Sequence, residues 1–451
     1  MTRKAPLFLF LLAAAATAVA AVDGDLDPTF GGDGIVASNF GTGWQVARAV
    51  AALPDGSLLV GGSYGTATNT TDFYVVRYQP DGFVDGDWGS FGGQQIPVEI
   101  FAGAEDDLRA LVPDDSGAVV LLGTTAASGG AILPGLARLT AGGDLDPGFG
   151  TGGIALGDSY PWGGAKHTYG ASAHLDGFLF AGGCTACGGG GTPGFFFYRT
   201  LANGSPDPGF GAGGWLGIAS GFNSGTNAWE LTTTADGKIL FGATYKPLGA
   251  EEVWIYRLLP SGAPDPAFGG GDGLATFQVP NSWNPSALAV DPVDGSIYVG
   301  LREALEESGA TSGSVARLAA NGDLDVAFGF PDLTLEEGST VEDLVVTSDR
   351  KIVTVGQIDA NGAQAGGFFF ARLLPTGVLD ASFDGNGLKR VEVDAVPDAN
   401  DAGIGVTLAG GRPVAVGRSA TTQAGYRFAA IRLTDDLIFT DGFERGSSAS
   451  W

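Results

Sequence analysis

Apolar positions in this chain fall into short runs of four to seven residues, rich in Val, Ile, Phe and Tyr, and most runs end at an Asp/Gly corner. Runs of that length and composition predict strands joined by tight turns. Four kinds of run return in one order. The first is half polar, as in Gly34-Ile-Val-Ala-Ser-Asn-Phe40 and Gly387-Leu-Lys-Arg-Val-Glu-Val393. The second leads into a corner, as in Val46-Ala-Arg-Ala-Val-Ala-Ala-Leu-Pro-Asp-Gly56. The third is an apolar run that often ends in glycine, as in LLVGG from Leu58, VVLLG from Val119 and KIVTVG from Lys351. The fourth carries an arginine in every copy: Arg77, Arg138, Arg199, Arg257, Arg317, Arg372 and Arg432.

An acidic turn separates the fourth run from the next first run. It reads LDPTFGGDG from Leu26, LDPGFGTGG from Leu145 and PDPGFGAGG from Pro206, with a degraded copy, DGFVDGDWGSFGG, from Asp81. Its acidic position falls at Asp27, Asp85, Asp146, Asp207, Asp265, Asp325 and Asp380, at intervals of 58, 61, 61, 58, 60 and 55 residues. Such regularity defines a repeat, and repeats override the two or three domains that 451 residues would otherwise suggest. Four strands in each of seven copies predict an all-β, seven-bladed β-propeller with twenty-eight strands in antiparallel sheets. A β-helix has a shorter period, and a sandwich does not repeat seven times. Because the half-polar run reads as the outermost strand of each blade, residues 34–40 precede any blade of their own. They are expected to pair beside residues 427–433 and close the ring, removing an exposed sheet edge.

Residues 1–20 stand apart from this pattern. Arg3 and Lys4 precede an apolar stretch too short to span a bilayer, and Ala18-Val19-Ala20 offers a small-x-small cleavage site, so a secretory signal peptide is expected. Residues 21–436 then form one propeller and residues 437–451 a short tail. The expected location is outside the cytoplasm: secreted, periplasmic or on the cell surface. Without the leader the charge falls from −27 to −29, because Arg3 and Lys4 are lost and no acid is. That excess of carboxylates repels phosphate backbones and anionic membranes, so nucleic acid is not an expected partner. A monomer without a membrane span is expected, and no cofactor; Ca²⁺ is left open by the acidic turns.

The LDPxFGxxG turn, repeated near sixty residues and followed by DG…VGG…RL, resembles the delta-60 repeat of large secreted bacterial proteins, over roughly residues 23–435. The order of strands, with glycine closing the second, is similar to a kelch-type blade. The resemblance implies an extracellular propeller and names no biochemical role. Leu437-Ile-Phe-Thr-Asp-Gly-Phe-Glu444 resembles a short tail of secreted gammaproteobacterial proteins.

Candidate chemistry is sparse. The repeated Phe30, Phe149, Phe210, Phe268, Phe328 and Phe383 are expected to plug gaps between blades, while Asp27, Asp146, Asp207, Asp265, Asp325 and Asp380 hold the turns by side-chain to backbone hydrogen bonds. Asp23, Asp25 and Asp27 could bind Ca²⁺, but no closing glutamate follows. Cys184 and Cys187 form a lone C-x-x-C. A local disulfide is the plain reading in an exported chain, beside a redox centre or a zinc site completed by His167 and His174. No H-E-x-x-H, G-x-S-x-G, P-loop or Rossmann fingerprint is present, and no catalytic residue is assigned. Loops between blades carry Trp44, Tyr160, Trp162, His167, Phe222, Trp229 and Trp283, with Asn223, Asn227, Asn281 and Asn284 nearby. Rings and amides around one face suit stacking of a glycan or peptide, and each ring could instead shield the hub. The expected function is extracellular recognition without catalysis. A scaffold, or a polysaccharide lyase or hydrolase on the same face, are the alternatives.

Overall fold

The structure is a computed structural model. It describes residues 23–435 except 42, 68–69, 91–95, 128–130, 159–165, 189–191, 220–225, 246–251, 280–282, 305–310, 336–337, 359–365, 394–400 and 422–424. Within these residues the chain forms seven antiparallel sheets, and the inner strands of neighbouring sheets adjoin all the way round. The fold is the seven-bladed propeller expected. The inner strands of blades one to seven are Trp44–Ala52, Asp106–Pro113, Lys166–His174, Thr226–Thr233, Trp283–Val290, Asp343–Val346 and Ala402–Ala409. The glycine-rich run follows as the second strand and the arginine run as the third, so in blade one Leu58–Ala67 pairs with Thr70–Tyr78. Seven apolar clusters form the core, one between each adjacent pair of blades; one of them joins Leu240, Val253 and Ile255 of blade four to Ile297, Val299 and Leu301 of blade five.

The expectation of twenty-eight strands fails at blade five. Twenty-seven strands form among the described residues, and the fifth sheet has three. Its turn, Asp325 to Gly329, lacks the trailing glycines. In blades two, three, four, six and seven the last of these glycines has a positive φ and its carbonyl accepts the repeated arginine's N–H, as Gly153 does for Arg138 at 2.9 Å. Here the chain runs through Pro331, which has no N–H to give a ladder. It is tacked to the third strand by Leu333 N–H to the Gly313 carbonyl (3.1 Å) and the Ser314 hydroxyl to the Pro331 carbonyl (2.8 Å).

The acidic turn fastens each blade to the next. Every turn aspartate accepts the N–H two residues on, from Thr29 onto Asp27 at 3.0 Å to Ser382 onto Asp380 at 3.1 Å. Its carboxylate also meets the arginine of its own blade: Arg199 to Asp207 at 2.6 Å, Arg257 to Asp265 at 2.7 Å and Arg372 to Asp380 at 2.8 Å. The turn's aromatic ring, buried in every copy, lies on a glycine of the following turn. A Cβ on Gly82 would sit 2.9 Å from Phe30, on Gly204 2.8 Å from Phe149 and on Gly322 2.9 Å from Phe268. In the degraded copy Trp88 takes the ring's place, and its Nε1 donates to the Ala141 carbonyl at 3.0 Å.

This geometry makes the N-terminal segment the clasp of the ring. Ile35–Ser38 pairs antiparallel with the third strand of blade seven, Ile35 opposite Ile431 and Ser38 opposite Phe428, as expected. The preceding turn belongs to the same closure. Asp27 receives Arg432 (2.7 Å) and Arg412 (2.8 Å), Phe30 enters the gap to blade one, and Gly24 lies under Phe383 of blade six. Asp23 reaches the wholly buried Arg372 at 2.6 Å. One segment therefore seals the gaps on both sides of the last blade.

Candidate functional site

The glycines that close the second strands have a structural cause on the propeller axis. A Cβ on Gly62 would lie 1.9 Å from the Val46 carbonyl oxygen, on Gly123 2.2 Å from that of Asp107, on Gly356 1.8 Å from that of Thr340 and on Gly417 1.8 Å from that of Ala402. Only glycine admits so close a backbone. The pressure comes from a β-bulge in the inner strand beside it. Pairing skips one residue between Ala47 and Ala49, Leu108 and Ala110, Thr168 and Gly170, Ala228 and Glu230, Pro285 and Ala287, and Gly403 and Gly405. Blade six does the same ahead of its strand, where Thr340 N–H bonds Gln357 and Glu342 N–H bonds Val355. Bulges re-aim side chains. The residues so set apart are Arg48, Arg109, Tyr169, Trp229, Ser286, Glu342 and Ile404, one per blade.

Five of these seven, with Glu230, Arg302 and Asp343, line a cavity of about 340 Å³ to which six blades contribute. Asp107 bridges two guanidiniums, Arg48 Nε at 3.0 Å and Arg109 Nη2 at 2.6 Å, and also accepts the Ser63 hydroxyl at 3.1 Å. Across the axis Arg302 Nη1 donates to both oxygens of Glu342 at 3.0 and 2.9 Å, and the Thr340 hydroxyl adds a bond at 2.9 Å. Ser286 donates to the Val341 carbonyl at 2.5 Å.

Glu230 and Asp343 occupy the position just after the bulge in blades four and six, where several other blades have Ala or Gly. Desolvation in the channel wall pushes the Glu230 carboxyl up to about 8, and the neighbouring Asp343 carboxylate adds to the rise. Asp343 is pushed up to about 7, again mainly by desolvation and then by Glu342, against the pull of two backbone N–H groups. Those donors are Val406 and Leu344, both at 2.8 Å, while Leu231 N–H reaches Glu230 at 3.1 Å. Two carboxyls raised this far in one cavity make it the candidate site.

The residues expected from the sequence sit differently. Trp44 opens the inner strand of blade one, is 56 % exposed, and packs edge-on against Tyr426 with ring centroids 4.9 Å apart. Trp283 opens the inner strand of blade five but turns inward, 8 % exposed and edge-on to Phe330. Tyr160, Trp162 and Phe222 lie outside the described residues. His167 and Trp229 stand on the inner strands of blades three and four, their side chains undescribed. Cys184 and Cys187 lie in the second strand of blade three, bonded to each other, with Cα atoms 5.6 Å apart. His174 ends the inner strand of that blade; its Nε2–H donates to the Gly237 carbonyl at 2.8 Å, and desolvation lowers its pKa. Asp23 and Asp27 carry guanidinium partners, and no group of three or more metal-ligating side chains occurs among the described residues. The arginines and acids of the channel were not singled out from the sequence. Their one signal was the glycine opposite the bulge in five blades; blade four has Ala243 there and blade five Leu301.

No curated protein matches the chain. Solved structures similar to it include a protein of unknown function from Dyadobacter fermentans, 10 % identical, covering 88 % of this chain and 97 % of that one with a TM-score of 0.46. The Trypanosoma rangeli sialidase in complex with the inhibitor DANA is 8 % identical, covering 86 % of this chain and 55 % of its own, with a TM-score of 0.42, so this chain spans about half of it. A GH43 endo-arabinanase from Bacillus licheniformis is 12 % identical, covering 61 % of this chain and 95 % of its own, with a TM-score of 0.34. The family model described as a domain of unknown function (DUF5122) beta-propeller matches residues 53–86 and 347–383, each span running from a corner turn into an acidic turn.

Proposed function

We propose that this chain is an exported recognition propeller that holds a small polar ligand, most simply part of a glycan, in the cavity on its axis. The observation that carries the reading is the convergence of side chains from six blades, through bulges that interrupt otherwise regular strands, on one cavity of about 340 Å³. Guanidiniums and protonated carboxyls supply several hydrogen bonds to hydroxyl groups, and the exposed ring of Trp44 stands where a sugar could stack. Tyr160, Trp162, His167, Phe222 and Trp229 are proposed as further parts of the rim, and a peptide is the other ligand class such a rim would suit. Residues 1–20 are proposed as the export signal and the sixty-residue unit as a delta-60 repeat.

A glycan and peptide array with the exported chain tests this, repeated with Trp44→Ala, Trp229→Ala and Glu230→Ala. Binding lost in Glu230→Ala supports the cavity, and binding unchanged in all three refutes it. One observation favours hydrolysis as a second reading: a carboxyl held protonated at neutral pH can serve as a general acid. Cleavage of a bound glycan, seen by mass spectrometry, would replace recognition with catalysis.

A further inference from the structure

The two ends of the ring meet inside one of the seven acidic turns. Each intact copy begins with a β-turn closed by the same pair of backbone bonds. In blade six Leu374 N–H donates to the Val378 carbonyl at 2.8 Å and Gly377 N–H to the Leu374 carbonyl at 2.9 Å. In blade one Gln79 N–H donates to the Phe83 carbonyl at 2.8 Å and Gly82 N–H to the Gln79 carbonyl at 2.9 Å. Blade seven builds this turn from residues at opposite ends of the sequence. Thr434 N–H donates to the Asp25 carbonyl at 2.8 Å and Gly24 N–H to the Thr434 carbonyl at 3.0 Å, and Gly24 has a φ of 85° where Gly377 has 86°. Counted from the blade's arginine, Asp435 stands where Pro375 and Pro80 stand, and Asp23 where Thr376 and Asp81 stand. The ring of turns and strands is therefore interrupted only at the peptide bond that would join Asp435 to Asp23.

What the intact turns hold with that bond, the split turn holds with side chains. In an intact turn a main-chain carbonyl receives the arginine of the blade before: Arg317 Nη1 donates to Pro375 at 3.3 Å, Arg432 Nη1 to Pro80 at 2.6 Å, and Arg257 Nη1 to Ala320. Ahead of the split turn the arginine is Arg372, wholly buried. Its Nη1 donates to the Asp435 carboxylate at 3.4 Å and its Nη2 to the Asp23 carboxylate at 2.6 Å. Both carboxylates are themselves nearly buried, at 5 and 11 % exposure. A charge-assisted bond is stronger than one to a neutral carbonyl, and a buried guanidinium that loses a carboxylate partner is strongly destabilised. One cation on blade six thus grips both ends of the ring. The Asp23 main chain keeps the contact of its place, its carbonyl accepting Asp384 N–H at 2.9 Å as the Asp81 carbonyl accepts Gly31 N–H at 2.7 Å.

We infer that Asp23, Arg372 and Asp435 form a latch that stands in for the missing peptide bond, and that the two ends seat only together, so that loss of either releases the other and opens the ring. The bonds of the split turn all cross the break, Thr434 to Asp25 and Gly24 to Thr434, so neither end has its turn without the other. Release of residues 23–38 leaves the third strand of blade seven, Tyr426–Arg432, as an open edge. Tyr426 is the ring that Trp44 packs against, so opening at the chain ends is felt at the rim.

Hydrogen exchange of the exported chain carrying Asp435→Ala or Asp23→Ala, followed by mass spectrometry, tests this. In Asp435→Ala, peptides covering residues 26–38, at the other end of the sequence, should exchange about tenfold faster or more, and those covering residues 426–433 should accelerate by the same factor, because the two open as one unit. Asp23→Ala should give the same signature. Peptides covering Ile352–Ile358, the second strand of blade six, should keep the parent's rate, whereas a merely structural cost of baring Arg372 would speed them. Asp25→Cys with Thr434→Cys, oxidised, replaces the latch with a covalent tie and should return both segments of Asp435→Ala to the parent's rate. Residues 26–38 at the parent's rate in Asp435→Ala, acceleration of residues 352–358 to the same extent, or acceleration that the added disulfide does not reverse overturns the inference.

Discussion

Truncating Phe30 should open the ring at one place, whereas truncating the equivalent Phe149 should weaken the whole molecule. Both rings are buried, at 0 and 1 % exposure, and each lies against a glycine of the following turn. A buried Phe→Ala change costs about 3–5 kcal/mol, and Phe30 also loses the Arg432 guanidinium stacked 4.7 Å from its centroid. Phe149 sits mid-chain between blades two and three, both anchored on either side. Its loss therefore lowers global stability, by roughly 5 °C in Tm if unfolding entropy scales with chain length. Phe30 is carried on residues 23–38, which have one covalent connection to the ring. What else holds them is four paired residues, the ion pairs of Asp23 and Asp27 and a few backbone bonds. Detachment of that segment becomes the lowest-energy opening. Hydrogen exchange followed by mass spectrometry reads it directly. Peptides covering residues 26–38 and 426–433 should exchange about 100- to 1,000-fold faster in Phe30→Ala, since each 1.4 kcal/mol is tenfold, and those same peptides should change little in Phe149→Ala. Uniform acceleration in both variants would refute the clasp.

Gly322→Ala combines a positive φ of 95° with a Cβ 2.9 Å from Phe268, whereas Gly385→Ala has a φ of 81° and open space. Urea midpoints should place the first about 2–4 kcal/mol below the parent and the second about 1–2. Cys184 and Cys187 should resist alkylation until reduced, and Cys184→Ser with Cys187→Ser should cost about 2 kcal/mol by the loop-entropy relation for so short a loop. Glu230 has a folded pKa near 8, above its ordinary 4.5, so its contribution to stability is complete below about 4.5 and is lost as pH rises through 8. Glu230→Gln should accordingly melt higher than the parent at pH 8.5 and show no such gain at pH 4.5. His174 has the opposite sign: its lowered pKa makes stability fall as pH drops below 6.5, so His174→Gln should flatten the melting profile between pH 7 and pH 5.

The fold was legible because everything that defines it repeats. Seven arginines, seven acidic turns and the glycines beneath the turn rings all serve contacts made identically in each gap, so each copy testifies to the others. Where a copy departs from the pattern the outcome divides. Trp88 keeps the contact with a larger ring, and blade five, without trailing glycines, loses its outer strand. The site is illegible for the converse reason. Function on a propeller axis needs a different side chain from each blade, so Arg48, Arg109, Ser286, Glu342 and Ile404 share a position and nothing else, and no repeat betrays them.

What does betray them is the backbone. A bulge forces the neighbouring second strand to be glycine where the carbonyl comes within 2 Å or so of a would-be Cβ, as at Gly62, Gly356 and Gly417. That glycine repeats because its cause is geometric, and it points across the ladder to a channel residue free to vary. Blades three and four show the same register skip with Gly182 and Ala243 opposite it. The Ala243 case shows that the bulge comes first and glycine is its commonest accommodation. A sequence of this kind can therefore be searched for its site by locating the second-strand glycine and reading the inner-strand residue one place beyond its partner. In this chain that procedure returns three charged residues, Arg48, Arg109 and Glu342, all of which line the cavity.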